Sequence, residues 1–456
     1  MKNSIENISV IGLGKLGGTM AACFASKGFN VVGSDVNQDA VDALNQGRAP
    51  SQEVGLDAMV KANQERLSGT MSVTEAVRNT EITFVIVPTP SDERGAFALD
   101  YAKNAFAELG KALATKEGYH VIVMTSTVLP GSTRHGLLPI LESESGKKCG
   151  PDFGLCYNPE FIALGSVIKD FLNPDFYLLG QFDERSGDLL EIVHNQVSEN
   201  SAPIQRMNLE NAELSKIAVN SFVTMKISYA NTLAELCEKI PGGDIDQVSD
   251  ALGMDSRIGR KYLTGGFGFG GPCFPRDNVA LAFVGSSLDA DCSLLETNDN
   301  YNRYLSTRQA EKMGKFIPEG SSIAVLGLSY KPNTHVIEES PGIYLCEELA
   351  KRGYNVFAHD HLAVADSASV LEGKAVVSDC VHKTLEQTSV VIITKGEPSY
   401  INLKVDEITR DRDSTILIDF WRLRKDLSDE PKIHYMPSGI CVDPAPSVEK
   451  FNLLWG

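Results

Sequence analysis

The sequence predicts an α/β protein in which two Rossmann-like, doubly wound domains are joined by a helical central domain with a long spine helix. Up to about residue 180, short runs rich in valine and isoleucine alternate with helical stretches, and this alternation returns from Ser322. Such alternation is typical of a parallel sheet covered by helices. Residues 205–305 contain few strand signals and one long helical stretch, 208–240, whose length indicates a connector or a dimer-forming spine.

Length and charge set the broad class of the protein. A chain of 456 residues is too long for one hydrophobic core, and we predict domains at 1–204, 205–310 and 311–456. The net charge of -18 opposes binding to nucleic acid or to an anionic membrane. The first residues lack the apolar run of a signal peptide or a membrane span, which predicts a cytoplasmic location.

The first segment is predicted as strand, glycine turn, helix and strand. Gly12, Gly14 and Gly17 form G-x-G-x-x-G after the first strand, and Asp35 ends the next one. These glycines allow a tight turn and bring a pyrophosphate close to a helix N-terminus, while the acid can bond a ribose 2′-hydroxyl. The pattern predicts dinucleotide binding and favours NAD over NADP. Later strands are predicted in ITFVIVPTP, HVIVMTSTV, FGLCYNPEF and FYLLG.

Candidate catalytic residues follow. Glu160 comes after an Asn-Pro pair at the end of a predicted strand, where active-site residues of open α/β sheets gather; a carboxylate at a helix N-terminus is the structural alternative. On the spine helix, Glu213, Lys216 and Asn220 share one face because their spacings are three and four. That face is predicted either as a surface salt bridge of Glu213 with Lys216 or as an enclosed site whose ammonium and amide stabilise an alkoxide.

One cysteine stands apart from the rest. Nine cysteines are scattered without a C-x-x-C pair or a histidine cluster, so free thiols and no metal site are predicted. Cys273, however, lies in GGFGFGGPCFPRD, residues 265–277. Glycines let a main chain approach a ligand, and cations such as Arg276 or Lys216 would lower a thiol pKa from its usual value of about 8.5. A thiolate nucleophile is predicted, with a packing cysteine as the alternative.

The last part of the chain looks like a second copy of the first. IAVLGLS, residues 323–329, resembles ISVIGLG, residues 8–14, and YNVFAHD resembles NVVGSD, which predicts a related domain. Gly327 is kept, but Ser329 stands at the next glycine position and a long loop follows. A dinucleotide is therefore not expected there. A nucleotide diphosphate could use that helix end together with Lys331, unless this lysine is simply solvated.

Over essentially its whole length, the sequence resembles the UDP-glucose/GDP-mannose dehydrogenase family of NAD-dependent nucleotide-sugar 6-dehydrogenases. The shared motifs occur in order: GLGKLGG, VPTP, STV, NPEF, ELSKIAVN, DSRIGRKYL, GFGGPCFPRD, and GLSYKPNT followed by ESP. The resemblance implies four-electron oxidation of a sugar C6 alcohol to a carboxylate with two NAD per turnover, and UDP-glucose is the first candidate. Cys273 matches the nucleophile that forms a thiohemiacetal and then a thioester, which water hydrolyses.

The same resemblance assigns further roles. Catalytic roles fall to Cys273, Lys216, Asn220, Asp277, Glu160 and Thr127. Cofactor binding falls to Gly12, Gly14, Lys15, Leu16, Gly17, Asp35, Pro88, Thr89, Ser126, Thr127 and Arg276. Substrate binding falls to Phe161, Lys216, Asn220, Arg257, Tyr262, Phe267, Gly270, Phe274, Lys331 and Arg422. Lys216 and Asn220 are expected to stabilise the oxyanion and Asp277 to orient a water or base. Arg257 is expected to reach the partner's substrate site in a homodimer.

Some positions depart from the family pattern, and they leave alternatives open. Leu164 stands where the family usually has a glutamate, so thioester hydrolysis would rest on Glu160. Arg276 replaces the usual lysine, and HVIE at 335–338 replaces the usual acidic pair and arginine. UDP-N-acetylhexosamines and GDP-mannose therefore remain candidate substrates. A two-electron hydroxyacid dehydrogenase with a structural Cys273 and a non-catalytic nucleotide-binding protein are the competing functions.

Overall fold

The computed structural model describes residues 5–162, 165–443, 448, 450 and 453. The chain divides into two compact units, Met1–Ala218 with Phe283–Asp289, and Val219–Ala282 with Ala290–Gly456. Among the helices of the described residues, none is both long and apolar enough to cross a membrane.

The first unit is built on one large sheet. Its strands are β1 Asn7–Ile11, β2 Asn30–Ser34, β3 Leu67–Thr70, β4 Ile82–Val85, β5 Val121–Met124, β6 Gly154–Tyr157, β7 Tyr177–Gln181 and β8 Ile204–Asn208. The helices up to the division are α1 Lys15–Ser26, α2 Gln38–Asn45, α3 Leu56–Ala62, α4 Val73–Arg78, α5 Asp100–Thr115, α6 Leu138–Ser145, α7 Val167–Leu172, α8 Glu184–Val197 and α9 Leu209–Cys237, which runs on past Ala218. The strand order is β3-β2-β1-β4-β5-β6-β7-β8.

Both faces of this sheet are buried, which explains why its strands have continuous apolar runs. Val10 of β1 packs in a cluster with Phe24 of α1, whereas the next residue, Ile11, packs in a second cluster with Phe106 of α5. Successive side chains of a strand point to opposite faces, so helices must cover the sheet on both sides. The predicted parallel pairing holds from β3 to β6 and for β7 with β8, but β6 and β7 are antiparallel.

The second unit repeats this design on a smaller scale. Its strands are β9 Ser322–Leu326, β10 Asn355–His359, β11 Ala375–Ser378, β12 Val390–Ile393, β13 Thr415–Asp419 and β14 Ile433–Pro437. Its other helices are α10 Ile245–Met254, α11 Phe274–Ser287, whose end belongs to the first unit, α12 Ser293–Met313, α13 Pro341–Lys351, α14 Val364–Val370, α15 Val381–Glu386, α16 Pro398–Ile401 and α17 Val405–Thr409. The order β11-β10-β9-β12-β13-β14 matches the first six strands of the other sheet, which confirms the repeat.

Two features of the fold position candidate residues. In each sheet the strand order reverses beside the first strand, at β1/β4 and at β9/β12, and ligands of open α/β sheets bind outside the carboxyl ends of the strands at such points. The spine helix predicted at 208–240 is α9, which ends three residues earlier than predicted. Pro241 and Gly242, which has a φ of 77°, follow it closely and cannot continue a helix.

Candidate active site

The first glycine turn lies at the reversal point of the large sheet, and its three glycines serve different purposes. Gly12 has a φ of 97°, and a Cβ there would lie 2.0 Å from the carbonyl oxygen of Ile86. A Cβ on Gly17 would lie 1.9 Å from the carbonyl oxygen of Gly12. At Gly14, the residue before α1, a Cβ would meet nothing within 4 Å. Gly12 and Gly17 let backbone segments touch, whereas Gly14 leaves open space at a helix N-terminus, which suits a pyrophosphate.

The other predicted cofactor residues of this unit border the same crevice. The Asp35 carboxylate accepts the backbone N–H of Leu13 at 2.5 Å and thereby joins the end of β2 to the glycine turn. Thr89, which follows β4, donates through its hydroxyl to the carbonyl oxygen of Thr127, which follows β5, at 2.8 Å. Ser126 donates to the carbonyl oxygen of Val87 at 2.7 Å and accepts that residue's N–H at 2.9 Å. These residues fit a dinucleotide lying across the strand ends. The remaining three lie at the same edge: Lys15, Leu16 and Pro88.

The second glycine turn has the same design, but a lysine side chain lies against it. Asp360 corresponds to Asp35, and its carboxylate accepts the N–H groups of Leu328 at 2.8 Å and Ser329 at 2.9 Å. Lys395 Nζ lies 2.7 Å from the same Asp360 oxygen, and a Cβ on Gly327 would lie 2.6 Å from Lys395 Cγ. The lysine side chain therefore fills the space beside this turn, a feature that sequence reasoning missed.

Glu160 and Lys216 lie together in the first unit. Lys216 Nζ donates to the backbone carbonyl oxygen of Glu160 at 2.6 Å and lies 4.3 Å from the centre of the Phe161 ring. Burial raises the pKa of the Glu160 carboxyl to about 8, although the nearby ammonium of Lys216 works in the opposite direction. The Glu160 Oε1 atom is buried and has no hydrogen-bond partner among the residues that the structure describes. A carboxyl in this state can hold a proton near neutral pH and pass it to a bound molecule.

The alternative of a surface salt bridge between Glu213 and Lys216 is wrong, because Glu213 is completely buried and Lys216 is only 7% exposed. The Glu213 carboxylate accepts the N–H groups of Gly131 at 2.6 Å and Thr133 at 2.8 Å. Burial raises the pKa of Glu213 to about 7, against the lowering effect of these hydrogen bonds. Glu213 thus ties α9 to the loop after β5, while Lys216 ties it to the loop after β6.

A buried histidine supports the same region and was not found from the sequence. His194 of α8 forms a hydrogen bond of 2.8 Å between its Nε2 and Asn158 Oδ1, and Asn158 Nδ2 donates to the carbonyl oxygen of Leu178 at 3.1 Å. Burial lowers the pKa of His194 to about 3, so the ring is neutral. This pair positions the Asn-Pro-Glu segment. A lone histidine on a helix offers no sequence signal for such a contact.

In the second unit, Cys273, Asn220 and Asp277 come together around the start of α11. The exposed Cys273 is the residue before this helix, and its carbonyl oxygen accepts the N–H of Asp277 at 2.8 Å. The Asp277 carboxylate is buried and accepts Asn220 Nδ2 at 2.7 Å, while its other oxygen lies 3.3 Å from Arg276 Nη2. A thiol thus lies at a helix N-terminus, which favours negative charge, beside a carboxylate whose orientation is held from two sides.

The glycine loop, residues 264–273, owes its composition to contacts within the protein. A Cβ on any of five glycines would approach a neighbouring atom too closely: Gly265 at 2.8 Å from Ala230 O, Gly266 at 2.6 Å from Phe420 O, Gly268 at 2.7 Å from Asn302 Oδ1, Gly270 at 2.2 Å from Glu339 O, and Gly271 at 2.5 Å from the Tyr330 ring. The prediction that these glycines make room for a ligand is wrong where protein atoms already fill that space.

Two predicted substrate ligands have contacts that favour a structural role. Arg422 has a side chain only 1% exposed. Its guanidinium bonds Asp246 at 2.9 Å and donates to the carbonyl oxygens of Thr264 and Gly265, both at 2.9 Å. Phe267 is buried, and its ring stacks on that of Phe420 at 4.4 Å. Both residues fasten the glycine loop to the C-terminal sheet domain.

The remaining candidates of the second unit lie at or near its surface. Tyr262 has a φ of 68°, an unfavourable value for a non-glycine residue, and its ring meets that of Phe274 at 6.1 Å. Lys331 Nζ lies 5.7 Å from the Tyr330 ring. Arg257 is 86% exposed and pairs with Asp255 at 2.6 Å. Leu164, the departure that affects hydrolysis, lies outside the described residues.

Comparisons with known proteins agree along the chain. Residues 6–198, 210–304 and 324–426 match the NAD binding, central and UDP binding domains of the UDP-glucose/GDP-mannose dehydrogenase family. The UDP-glucose 6-dehydrogenase AglM of Haloferax volcanii is 37% identical over 360 residues, 78% of this chain and 83% of that protein. The GDP-mannose 6-dehydrogenase of Pseudomonas aeruginosa is 35% identical over 363 residues, 77% of this chain and 80% of that protein. A UDP-glucose dehydrogenase structure from the archaeon Pyrobaculum islandicum has a TM-score of 0.85 at 33% identity, covering 97% of this chain and 99% of that one.

Proposed function

Because the chain belongs to the UDP-glucose/GDP-mannose dehydrogenase family, we propose that it oxidises the C6 alcohol of UDP-glucose to the carboxylate through a covalent intermediate on Cys273. NAD is the cofactor, and when bound it accepts a hydride in each of the two oxidations. The observation that carries the proposal is the exposed Cys273 at the N-terminus of α11, beside the buried Asn220–Asp277 pair at 2.7 Å.

The covalent step explains why a thiol is needed. Loss of a hydride and a proton from the alcohol leaves an aldehyde. The Cys273 thiolate adds to its carbon, and the aldehyde oxygen takes up a proton, which gives a thiohemiacetal. Loss of a second hydride and the hydroxyl proton gives a thioester. Water then attacks the thioester carbon, the sulfur leaves as a thiolate, and the carboxylate is released. The bond to sulfur keeps the reactive aldehyde from escaping between the oxidations.

The other residues act on protons and on oxygen charge. The Lys216 ammonium and the Asn220 amide stabilise the negative charge that develops on the sugar oxygen. Glu160, whose pKa burial raises to about 8, holds or takes the proton of the attacking water. Asp277 keeps Asn220 oriented through their hydrogen bond.

The substrate is tested by a panel of nucleotide sugars. Purified protein is given NAD with UDP-glucose, UDP-N-acetylhexosamines, GDP-mannose and ADP-sugars, and NADH is counted per substrate consumed. Two NADH per UDP-glucose would support the proposal. A preference for GDP-mannose would change the assigned substrate and leave the proposed four-electron oxidation in place. One NADH per substrate would favour a two-electron dehydrogenase, and no NADH with any sugar would favour a non-catalytic nucleotide-binding protein.

We further propose that the protein is a homodimer joined along α9. Three large side chains at intervals of seven residues are exposed on this helix, Phe222, Tyr229 and Leu236, and an exposed apolar stripe of this kind marks an interaction surface. Lys226 donates to the carbonyl oxygens of Ile258 and Gly259, both at 3.1 Å, so the loop that carries Arg257 lies at the edge of the stripe. Sedimentation of Tyr229→Asp as a monomer, against a wild-type dimer, tests the assembly.

A further inference from the structure

Two asparagine side chains hold the backbone of the glycine loop. Asn231 of α9 accepts the N–H of Gly266 at 2.8 Å and donates to the carbonyl oxygen of Phe267 at 2.9 Å. Asn302 of α12 accepts the N–H of Phe269 at 2.8 Å and donates to the carbonyl oxygen of the same residue at 2.9 Å. Each side-chain amide thus pairs with the main chain as a neighbouring strand would.

The loop is fixed at both ends as well. At its start, Arg422 Nη2 donates to the carbonyl oxygens of Thr264 and Gly265. Towards its end, Gly271 N donates to the carbonyl oxygen of Glu338 at 2.9 Å. Contacts therefore follow the backbone from residue 264 to residue 271, two residues before Cys273. The two asparagines supply the middle of this series.

We propose that Asn231 and Asn302 are positioning residues for Cys273, which set the course of the glycine loop and thereby the place of the thiol. The inference rests on the proposed function in so far as Cys273 is the reacting group. Each asparagine acts through the hydrogen bonds that it forms with the loop backbone.

The physical reason lies in the flexibility of glycine. A segment so rich in glycine loses more conformational entropy on ordering than any other, so specific contacts must select one course. Removing an asparagine amide leaves a buried backbone N–H and C=O without partners. The loop then moves to satisfy them, and a misplacement of about 1 Å at the reacting atom is enough to cost on the order of 100-fold in rate.

Asn302→Ser tests the proposal against a closely matched control. Asn298 lies one turn earlier on α12, is buried, and donates to the Thr224 hydroxyl of α9 at 2.9 Å, whereas the half-buried Asn302 bonds the loop. Asn298→Ser therefore removes a side-chain hydrogen bond of the same helix that leads to α9 and not to the glycine loop. Thermal unfolding and NAD binding establish that both variants are folded.

The deciding readout is the rate at which iodoacetamide labels Cys273, followed by mass spectrometry of its peptide without substrate. We expect Asn302→Ser to slow labelling, since a displaced thiol loses the favourable helix N-terminus, and to lower kcat on the order of 100-fold with NAD affinity unchanged. Asn298→Ser should change neither quantity. Equal labelling rates and equal kcat in the two variants would overturn the proposal.

Gly268→Ala provides an independent test of the same contact. Its Cβ would lie 2.7 Å from Asn302 Oδ1, so the substitution should displace that amide and reproduce the effect of Asn302→Ser. Combining both substitutions should add little to either alone, and fully additive losses would contradict the inference. If Asn302→Ser does not fold, Asn231→Ser is compared with Asn298→Ser in the same way. Labelling needs no turnover, so the labelling rates test the positions of the loop and thiol even if Cys273 is not the nucleophile. A wrong assignment of Cys273 as the nucleophile would instead be shown by an active Cys273→Ser variant.

Discussion

Replacing Gly14 by alanine should separate cofactor binding from folding. Gly14 has φ of -65° and ψ of -166°, which an L-residue adopts without strain. A Cβ at this position would meet no other atom of the described part of the chain within 4 Å. Alanine is a poorer residue than glycine before a helix by about 0.5–1 kcal/mol. Alanine also lowers the conformational entropy of the unfolded chain, which stabilises the folded protein by about 0.4–1 kcal/mol. The two terms nearly cancel, so Tm should change by no more than about 2 °C.

The effect on NAD should be much larger. We expect a pyrophosphate to reach the N–H groups at the start of α1 through the open space at Gly14. A methyl group there prevents one charge-assisted hydrogen bond, which contributes about 1.5–3 kcal/mol. Since about 1.4 kcal/mol is a tenfold change in affinity, the dissociation constant of NAD should rise about 10- to 100-fold.

Calorimetric titration with NAD and thermal unfolding of the free protein measure the two effects separately. Gly17→Ala is the control, because its Cβ would lie 1.9 Å from the backbone oxygen of Gly12 and no rotamer relieves that overlap. It should lose stability and binding together. A Gly14→Ala protein as unstable as Gly17→Ala would refute the steric reasoning, and an unchanged dissociation constant would refute the placement of the pyrophosphate.

Three further outcomes are expected. Cys273→Ser should retain NAD binding, while its rate of acid production, measured by product chromatography, should fall by about 1,000-fold or more. A rate equal to that of the wild type would refute the covalent mechanism. The pKa of Glu160 is raised from 4.5 to about 8, so its contribution to stability is full below pH 4.5 and is lost as pH rises towards 8. In Glu160→Gln, Tm should therefore no longer fall with pH between those values, and the pH profile of the rate should lose its limb near pH 8. A rate profile like that of the wild type would exclude Glu160 from proton transfer. Arg422→Leu should destabilise the protein by about 3 kcal/mol in urea unfolding, because it leaves the carbonyl oxygens of Thr264 and Gly265 without their donor and Asp246 with Lys425 as its remaining cation. A loss below about 1 kcal/mol would contradict the structural role.

Several inferences from the sequence stay predictions. These are the domain boundaries at 204 and 310, the cytoplasmic location, the homodimer and the individual site roles. Within each unit the structure nevertheless brings predicted partners together: Lys216 with Glu160 and Phe161, and Asn220 with Asp277. Spacing on a helix predicted the shared face of α9, but what that face meets depends on loops far away in the chain.

The sequence by itself determined several strands of each sheet, the first glycine turn, the spine helix and the repeat of one design, because these follow from side-chain periodicity and from backbone angles that few residues adopt. Only the tertiary structure decided what surrounds them. Gly14 and Gly268 look alike in the sequence, yet one faces open space and the other faces the Asn302 side chain. Lys395 fills the second turn, and Glu213 is buried rather than paired at the surface. Such outcomes depend on atoms brought together from distant parts of the chain, which no local pattern encodes.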